Sequence, residues 1–224
     1  MTSQVKVGSQ EAIIYPDSDG KPMADNTQQF RWIVVIQQNL EWLFADHPDV
    51  FVAGDLLWYP IEGNNKICTA PDIFVALGRP KGNRGSYKQW EENNIAPQVV
   101  FEILSLSNRS TEMDKKLLFY DRHGVEEYYL YDPDTNDLSG WLRVEGYLDV
   151  IEPIADYVSP RLGIRFDLSG KELQIYRPDG DRFLSYTEIA RQLGQERQRA
   201  EQAEERAARL AERLRQAGID PDQT

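Results

Sequence analysis

Two apolar segments separated by a polar, helix-forming segment give the most regular pattern in the chain, between residues 98 and 132. The first segment, Gln98–Ser105, contains the apolar residues Val99, Val100, Phe101, Ile103 and Leu104, a run that is typical of a strand buried on both faces. The second, Val125–Asp132, contains the apolar and aromatic run Tyr128–Tyr131. Between them, Thr111 and Asp114 have the spacing of a helix-capping box, and Gly124 suits a helix end. The pattern therefore predicts a strand, a helix and a second strand.

Glu102 interrupts the first of these predicted strands. In a strand its side chain shares one face with Val100 and Leu104, so it cannot simply point into water. A buried carboxylate without a partner is costly in free energy. Either Glu102 lies at the open mouth of a sheet, or a positive group meets it there. Lys115 and Lys116, in the predicted helix, are the nearest candidates in sequence.

The rest of the first 185 residues predicts one longer helix and several short strands. The helix begins near Asp25 or Asn26, either of which can cap it, and its apolar stripe consists of Phe30, Ile33, Val34, Leu40 and Phe44. Short apolar runs bounded by turn residues predict strands over Val50–Ala53, Asp55–Tyr59, Pro71–Leu77, Leu138–Val144, Leu148–Ile154, Ile164–Asp167 and Leu173–Tyr176.

The segment Gly78–Trp90 is rich in cations and contains no acidic residue; its basic residues are Arg79, Lys81, Arg84 and Lys88. Three glycines and a proline predict a long mobile loop. One interpretation is a solvated linker. The other is a flap that contacts nucleic-acid phosphates, with Tyr87 and Trp90 available to stack on bases.

The C-terminal segment changes in composition after residue 188, where Glu, Arg, Gln, Ala and Leu dominate. Small and apolar residues alternate by four and three positions, apart from one Glu: Ile189, Leu193, Glu196, Ala200, Ala203, Ala207, Leu210, Leu214 and Ala217. Such an Ala-rich seam buries little area. The helix could pack on its own domain, stay solvated or pair with another helix. Pairing is the favoured interpretation, and it predicts a homo-oligomer such as a dimer.

Length and composition set the remaining limits. A chain of 224 residues has room for an N-terminal arm (1–24), one domain (25–185) and a helical appendage (186–224). The net charge of −12 argues against a broad nucleic-acid surface, so any contact with phosphates must be local. The lone Cys68 excludes an internal disulfide. No segment approaches the length of a membrane span, and we expect a soluble cytoplasmic protein.

Three motifs together resemble those of the Uma2 family, also called DUF820, a group of restriction-endonuclease-like proteins. The motifs are Pro71-Asp72, Phe101-Glu102-Ile-Leu-Ser105 and Lys116-Leu-x-x-Tyr120-x-x-x-Gly124-Val-x-Glu127-Tyr-x-x-Tyr-Asp132-Pro. The resemblance covers roughly residues 15–178. It implies an α/β (α+β) fold with a PD-(D/E)XK nuclease core, in which helices flank a mixed central β-sheet. A C-terminal charged helix follows that core.

The resemblance also implies site residues. Asp72 corresponds to the Asp that the family carries on a strand, and Glu102 corresponds to its second acid. Leu104 stands where the wider superfamily usually has Lys after this acid. In the Uma2 pattern the following helix supplies the Lys, which here is Lys116, and Lys115 remains as a substitute.

Electrostatics agrees with this assignment. Two carboxylates at neighbouring strand ends repel each other, and a divalent cation removes that conflict. Oxygen ligands suit Mg²⁺ or Mn²⁺ rather than zinc. Asp72 and Glu102 are therefore the predicted metal ligands, with the Ile103 carbonyl and Asp55 as weaker candidates. Lys116 would hold the attacking water or a phosphate oxygen.

Three functions compete at this point. The favoured one is a metal-dependent endonuclease that hydrolyses DNA phosphodiester bonds. The alternative is a non-catalytic nuclease-fold module that binds a protein partner through the C-terminal helix. Hydrolysis of a small phosphate compound is a third class, but the chain has neither a P-loop nor a G-x-G-x-x-G motif.

Overall fold

The computed structural model describes residues 13–20, 22–105 and 110–218. The chain divides into two compact units, Met1–Phe183 and Leu184–Thr224. In chain order the elements are α1 (Thr27–Leu43), β1 (Val50–Gly54), β2 (Trp58–Tyr59), β3 (Ile73–Leu77), β4 (Tyr87–Lys88), a 3-10 helix (Gln89–Glu92), β5 (Val99–Ile103), α2 (Ser110–Arg122), β6 (Glu127–Asp132), β7 (Asp137–Val144), β8 (Tyr147–Val150), β9 (Arg165–Asp167), β10 (Gln174–Tyr176) and α3 (Tyr186–Gln216).

Six strands form the central sheet of the first unit, in the order β1-β3-β5-β6-β7-β8. β5 and β6, which flank α2 in the chain, are parallel. The other neighbouring pairs are antiparallel. Two short two-stranded sheets, β9-β10 and β2-β4, accompany it. The predicted fold class, a mixed sheet with flanking helices, is confirmed.

Each face of the central sheet has its own apolar core. One core joins α1 to alternate residues of the strands, such as Val99 and Phe101 of β5. The other core includes Val100 of β5 together with Trp58, Tyr120 and Tyr128. Because side chains alternate along a strand, Glu102 lies on the same face as Val100 and points toward α2.

Helix α1 begins where the sequence predicts, because the Asn26 side chain accepts hydrogen bonds from the backbone N–H groups of Gln28 and Gln29. The predicted apolar stripe is wrong in part. Phe30 and Val34 are 49% and 39% exposed, whereas Trp32 and Ile36 are buried together with two polar residues. The buried face of α1 is therefore offset from the predicted stripe, and its polar residues Gln29 and Asn39 each donate a hydrogen bond to a backbone carbonyl.

The predicted loop at Gly78–Trp90 is more ordered than the sequence indicates, since it contains β4 and leads into the 3-10 helix. Tyr87 is completely buried and packs on Phe74 with a ring-centroid distance of 5.3 Å, so the prediction that it stacks on bases is wrong. Trp90 packs on Tyr15, 4.9 Å away. The first 12 residues of the predicted arm lie outside the described residues.

The predicted capping box before α2 is also wrong: Ser110–Arg122 is helical, so Thr111 lies inside the helix and does not cap it. Gly124 follows the end of α2 with φ of +88°, a conformation that favours glycine.

Helix α3 is 31 residues long and makes up most of the second unit. A capping box of Ser185 and Glu188 fixes its start. None of its residues is buried, and the seam residues Leu193 and Leu210 are 57% and 60% exposed. No helix in the part of the chain that the structure describes is long and apolar enough to cross a membrane.

Candidate active site

Asp72 and Glu102 come together because β3 and β5 are antiparallel neighbours, so the start of one lies beside the end of the other. The register pairs Ile73 with Phe101, the residues adjacent to the two acids. The Asp72 carboxylate accepts a hydrogen bond from the backbone N–H of Ile103, 2.7 Å from Oδ2. Both acids are buried, with 7% exposure for Asp72 and 2% for Glu102. The sheet register thus brings two acids that are far apart in the sequence to one edge.

Helix α2 supplies both partners of the Glu102 carboxylate. Lys116 Nζ lies 2.7 Å from Glu102 Oε2, and the Tyr120 hydroxyl donates a hydrogen bond to Oε1. Lys116 and Tyr120 are four residues apart, which places both on one face of the helix. Lys115 is exposed to solvent and lines the neighbouring cavity. Of the two lysines near Glu102 in sequence, Lys116 is therefore the one that contacts it.

The charges of these residues are unbalanced. Burial, reinforced by the negative charge of Glu102, raises the pKa of Asp72 to about 8, although Lys116 and the hydrogen bond from Ile103 act against this. Burial alone would lower the pKa of Lys116, but the carboxylates of Glu102 and Asp72 raise it above its ordinary value. One ammonium group thus faces two carboxyl groups, and burial keeps the second of these, Asp72, largely protonated below about pH 8.

A cavity of about 500 Å³ gives access to this cluster; Asp72 and Lys116 line it. The same cavity is lined by four further acidic residues: Asp19, Asp25, Asp55 and Glu112. Burial and the nearby Asp19 raise the pKa of Asp55, and Lys116 and Glu102 also act on it. Asp55, the weaker third-acid candidate, therefore lies within electrostatic reach of the cluster.

The donor chemistry fits a hard divalent cation. Mg²⁺ commonly takes one or two carboxylates and completes its coordination with water and phosphate oxygens, as Asp72 and Glu102 would allow. Cys68 is the one thiol along the described cavity wall, and no histidine lines it, so the donor set does not suit zinc. Among the described residues, no three His, Cys, Asp or Glu side chains form a ready-made metal cage. The Ile103 carbonyl accepts a hydrogen bond from Gln29 Nε2 at 2.9 Å.

None of the four basic residues of the loop lines this cavity, and each has an acidic partner. Arg79 and Arg84 both pair with Glu92, at 2.7 and 2.6 Å, and their side chains are only 12% and 13% exposed. The two lysines are more exposed than the arginines: Lys81 contacts Glu41, and Lys88 contacts Glu91. A nucleic-acid role for the four stays a prediction.

Two residues of the cluster were not predicted as site residues. The sequence indicates that Tyr120 shares a helical face with Lys116, but it does not indicate that the Tyr120 hydroxyl contacts Glu102. Gln29 lies in α1, far from Ile103 in sequence, and its one signal is a polar side chain on a buried helical face.

Comparisons with known proteins agree with the resemblance. The model of the Uma2 family, described as "Putative restriction endonuclease", matches residues 20–154. Among solved structures, the chain is similar to one described as a putative nuclease belonging to DUF820 from Anabaena variabilis ATCC 29413. The identity is 19%, the TM-score is 0.50, and the match covers 67% of this chain and 85% of that chain, which shows a shared fold. The comparison with curated proteins gives no match. Because the family model spans more than half of the sequence, the chain belongs to the Uma2 family.

Proposed function

We propose that the chain is a divalent-metal-dependent endonuclease that hydrolyses DNA phosphodiester bonds at the cavity of Asp72 and Lys116. The observation that carries this proposal is the meeting of Asp72 directly before β3, Glu102 in β5 and Lys116 in α2 at one buried point beside that cavity. Burying two carboxyl groups with one ammonium group lowers the free energy of unfolding, so these residues do not serve stability. A catalytic site with a divalent cation gives these residues a use.

Each residue then has a distinct role. Asp72 and Glu102 would hold Mg²⁺ or Mn²⁺, and the bound ion would supply an activated water and neutralise charge on the phosphate. Lys116 would hold the attacking water or a non-bridging phosphate oxygen through its ammonium group. The Tyr120 hydroxyl donates to Glu102 and fixes the direction of that carboxylate.

A cleavage assay with the purified wild-type protein tests this proposal. Supercoiled plasmid, linear duplex, single-stranded DNA and RNA would each be incubated with Mg²⁺, with Mn²⁺ or with EDTA. We expect the metals to produce nicked or linear plasmid and EDTA to prevent this. Because a circular plasmid has no ends for an exonuclease, its cleavage requires an endonuclease. Binding of Mn²⁺ without cleavage of any substrate would contradict the proposal and favour a non-catalytic binding module.

The accessible lysines of the basic loop give a prediction about DNA binding. We expect the double substitution Lys81→Gln, Lys88→Gln to weaken DNA binding and to flatten its salt dependence, because fewer counterions are released. Fluorescence anisotropy between about 50 and 200 mM salt measures both quantities. The matched control is Lys66→Gln, Lys171→Gln, which removes the same charge elsewhere. Equal binding and slope in the two double variants would leave the loop without a nucleic-acid role.

The exposed seam of α3 is the observation that favours an interaction role for the second unit. We expect self-association through this helix, because a 31-residue amphipathic helix without buried residues gains stability by pairing. A chain truncated after Ser185 should show a lower mass by light scattering than the full chain, by more than the deleted segment. A reduction equal to the deleted segment alone would contradict self-association through α3.

A further inference from the structure

Gln29 is a buried polar residue in the first turn of α1 that the proposed mechanism leaves without a role. It is 5% exposed and lines the same cavity as Asp72. Its side chain uses both polar atoms: Nε2 donates to the Ile103 carbonyl at 2.9 Å, and Oε1 accepts the Asp25 backbone N–H at 2.8 Å. The amide therefore joins the start of α1 to the end of β5.

Ile103 lies two residues beyond Phe101, the last residue of β5 that pairs with β3. Continuing the register of Ile73 with Phe101 would place Ile103 opposite Pro71, which has no N–H to donate. Two side chains replace the missing backbone contacts. The Asp72 carboxylate accepts the Ile103 N–H at 2.7 Å, and Gln29 donates to the Ile103 carbonyl.

A second contact holds the same strand end. The Ser105 hydroxyl donates to Asp25 Oδ2 at 2.7 Å, two residues beyond Ile103. The start of α1 thus contacts the residues that directly follow Glu102 at two points. A shift of this strand end would move Glu102 and, through the Ile103 N–H, would release Asp72.

We propose that Gln29 is a positioning residue of the site: it fixes the Ile103 peptide and thereby the relative placement of the Asp72 and Glu102 carboxylates. Groups that orient metal ligands typically contribute about 10–100-fold to metal affinity or activity. The effect on metal binding rests on the proposed function, whereas the effect on the Ile103 peptide does not.

The substitution Gln29→Met tests this role, because Met keeps the length and helix propensity of Gln but cannot donate to Ile103. We expect the exchange rate of the Ile103 amide hydrogen, followed by NMR without metal, to rise at least about tenfold, because loss of the contact at the Ile103 carbonyl loosens the strand end and with it the hydrogen bond from the Ile103 N–H to Asp72. The amides of Val99 and Val100 should exchange as in the wild type. Affinity for Mn²⁺, measured by calorimetry, should fall about 10–100-fold.

Gln28→Met is the matched control, since Gln28 also donates to a backbone carbonyl, that of Pro133, at 3.1 Å and away from the cavity. If Gln29→Met fails to fold, Gln29→Asn, which keeps an amide but lacks the reach, replaces it with the same expectations. Wild-type exchange at Ile103 in the Gln29 variant, or an equal change in the Gln28 control, would overturn the positioning role.

The two proposals fail in different ways. Absence of Mn²⁺ binding or of DNA cleavage in the wild-type protein contradicts the proposed function. The role of Gln29 is then tested by the exchange rate of the Ile103 amide hydrogen, which is measured without metal. Normal Mn²⁺ binding by Gln29→Met, with binding lost in Asp72→Asn, contradicts the positioning role while the metal site stands.

Discussion

Asp72→Asn is expected to abolish metal-dependent cleavage and, at the same time, to stabilise the metal-free protein. The substitution removes the charge that would bind the cation, yet the side-chain oxygen of the amide can still accept the hydrogen bond that the Ile103 N–H gives to Asp72. The stabilisation follows because, above the pKa of the unfolded chain, the wild-type carboxyl group must take up a proton to be buried beside Glu102, and the amide need not. Opposite changes in activity and stability are typical of residues selected for function.

The stabilisation should depend on pH, with a sign that the shifted pKa fixes. The pKa of Asp72 is about 8 in the folded protein, against about 3.9 for an unfolded chain. Between these values the unfolded state has released a proton that the folded state still binds, so wild-type stability falls as pH rises and levels off above about pH 8. The amide introduced by Asp72→Asn does not titrate, and the gain should reach roughly 2–5 kcal/mol at about pH 8.

Thermal unfolding in EDTA at about pH 4, 6 and 8 measures this difference, and the plasmid assay with Mn²⁺ measures activity. Asp46→Asn, at an exposed position away from the cavity, is the matched control and should change neither quantity. Retained cleavage by Asp72→Asn would remove Asp72 from the site. A difference in melting temperature that does not grow with pH would show that its carboxyl group ionises freely in the folded protein.

The parts of the site that could be predicted from sequence are those with a local signal. Glu102 is conspicuous because a charged residue interrupts an apolar strand, and Lys116 lies in the next helix at a spacing that lets it return to the strand. The strand–helix–strand unit of β5, α2 and β6 is equally local. The meeting of Asp72 with Glu102 depends instead on strand register, which was supplied by the resemblance and not by the residues themselves.

What the sequence could not show are contacts whose partner lies outside the segment that carries the pattern. Glu92 lies just beyond the basic loop, so the burial of Arg79 and Arg84 against it gives no signal in the loop itself. Repulsion alone predicts that removing either carboxylate stabilises the metal-free protein. The structure limits this expectation to Asp72, because Glu102→Gln would leave the Lys116 ammonium without its closest partner.

Lys116→Ala is expected to lower the cleavage rate by about 10²–10³-fold while leaving Mn²⁺ affinity within a few-fold of the wild type. The ammonium group contacts Glu102 and would act on the charge that develops during hydrolysis, which is where such groups contribute most. Metal affinity should persist because the two carboxylates remain, and one competing positive charge is gone.

Lys116→Ala should destabilise the metal-free protein, whereas Asp72→Asn should stabilise it. Removing Lys116 leaves Glu102 buried with only the Tyr120 hydroxyl among its side-chain donors in the described chain, at a cost of roughly 3 kcal/mol in EDTA. Mn²⁺ should restore most of this loss, because a bound cation replaces the missing counter-charge and stabilises the state that binds it.

Single-turnover cleavage, calorimetry with Mn²⁺ and melting with and without the metal separate these effects. Lys115→Ala is the matched control, since this neighbouring lysine is exposed on the cavity wall, and it should retain the wild-type rate and stability. An equal loss of rate in both lysine variants would indicate a general attraction for DNA in place of a specific role for Lys116. Loss of Mn²⁺ binding in Lys116→Ala would show that the lysine organises the carboxylates, and its assignment to the chemical step would then be wrong.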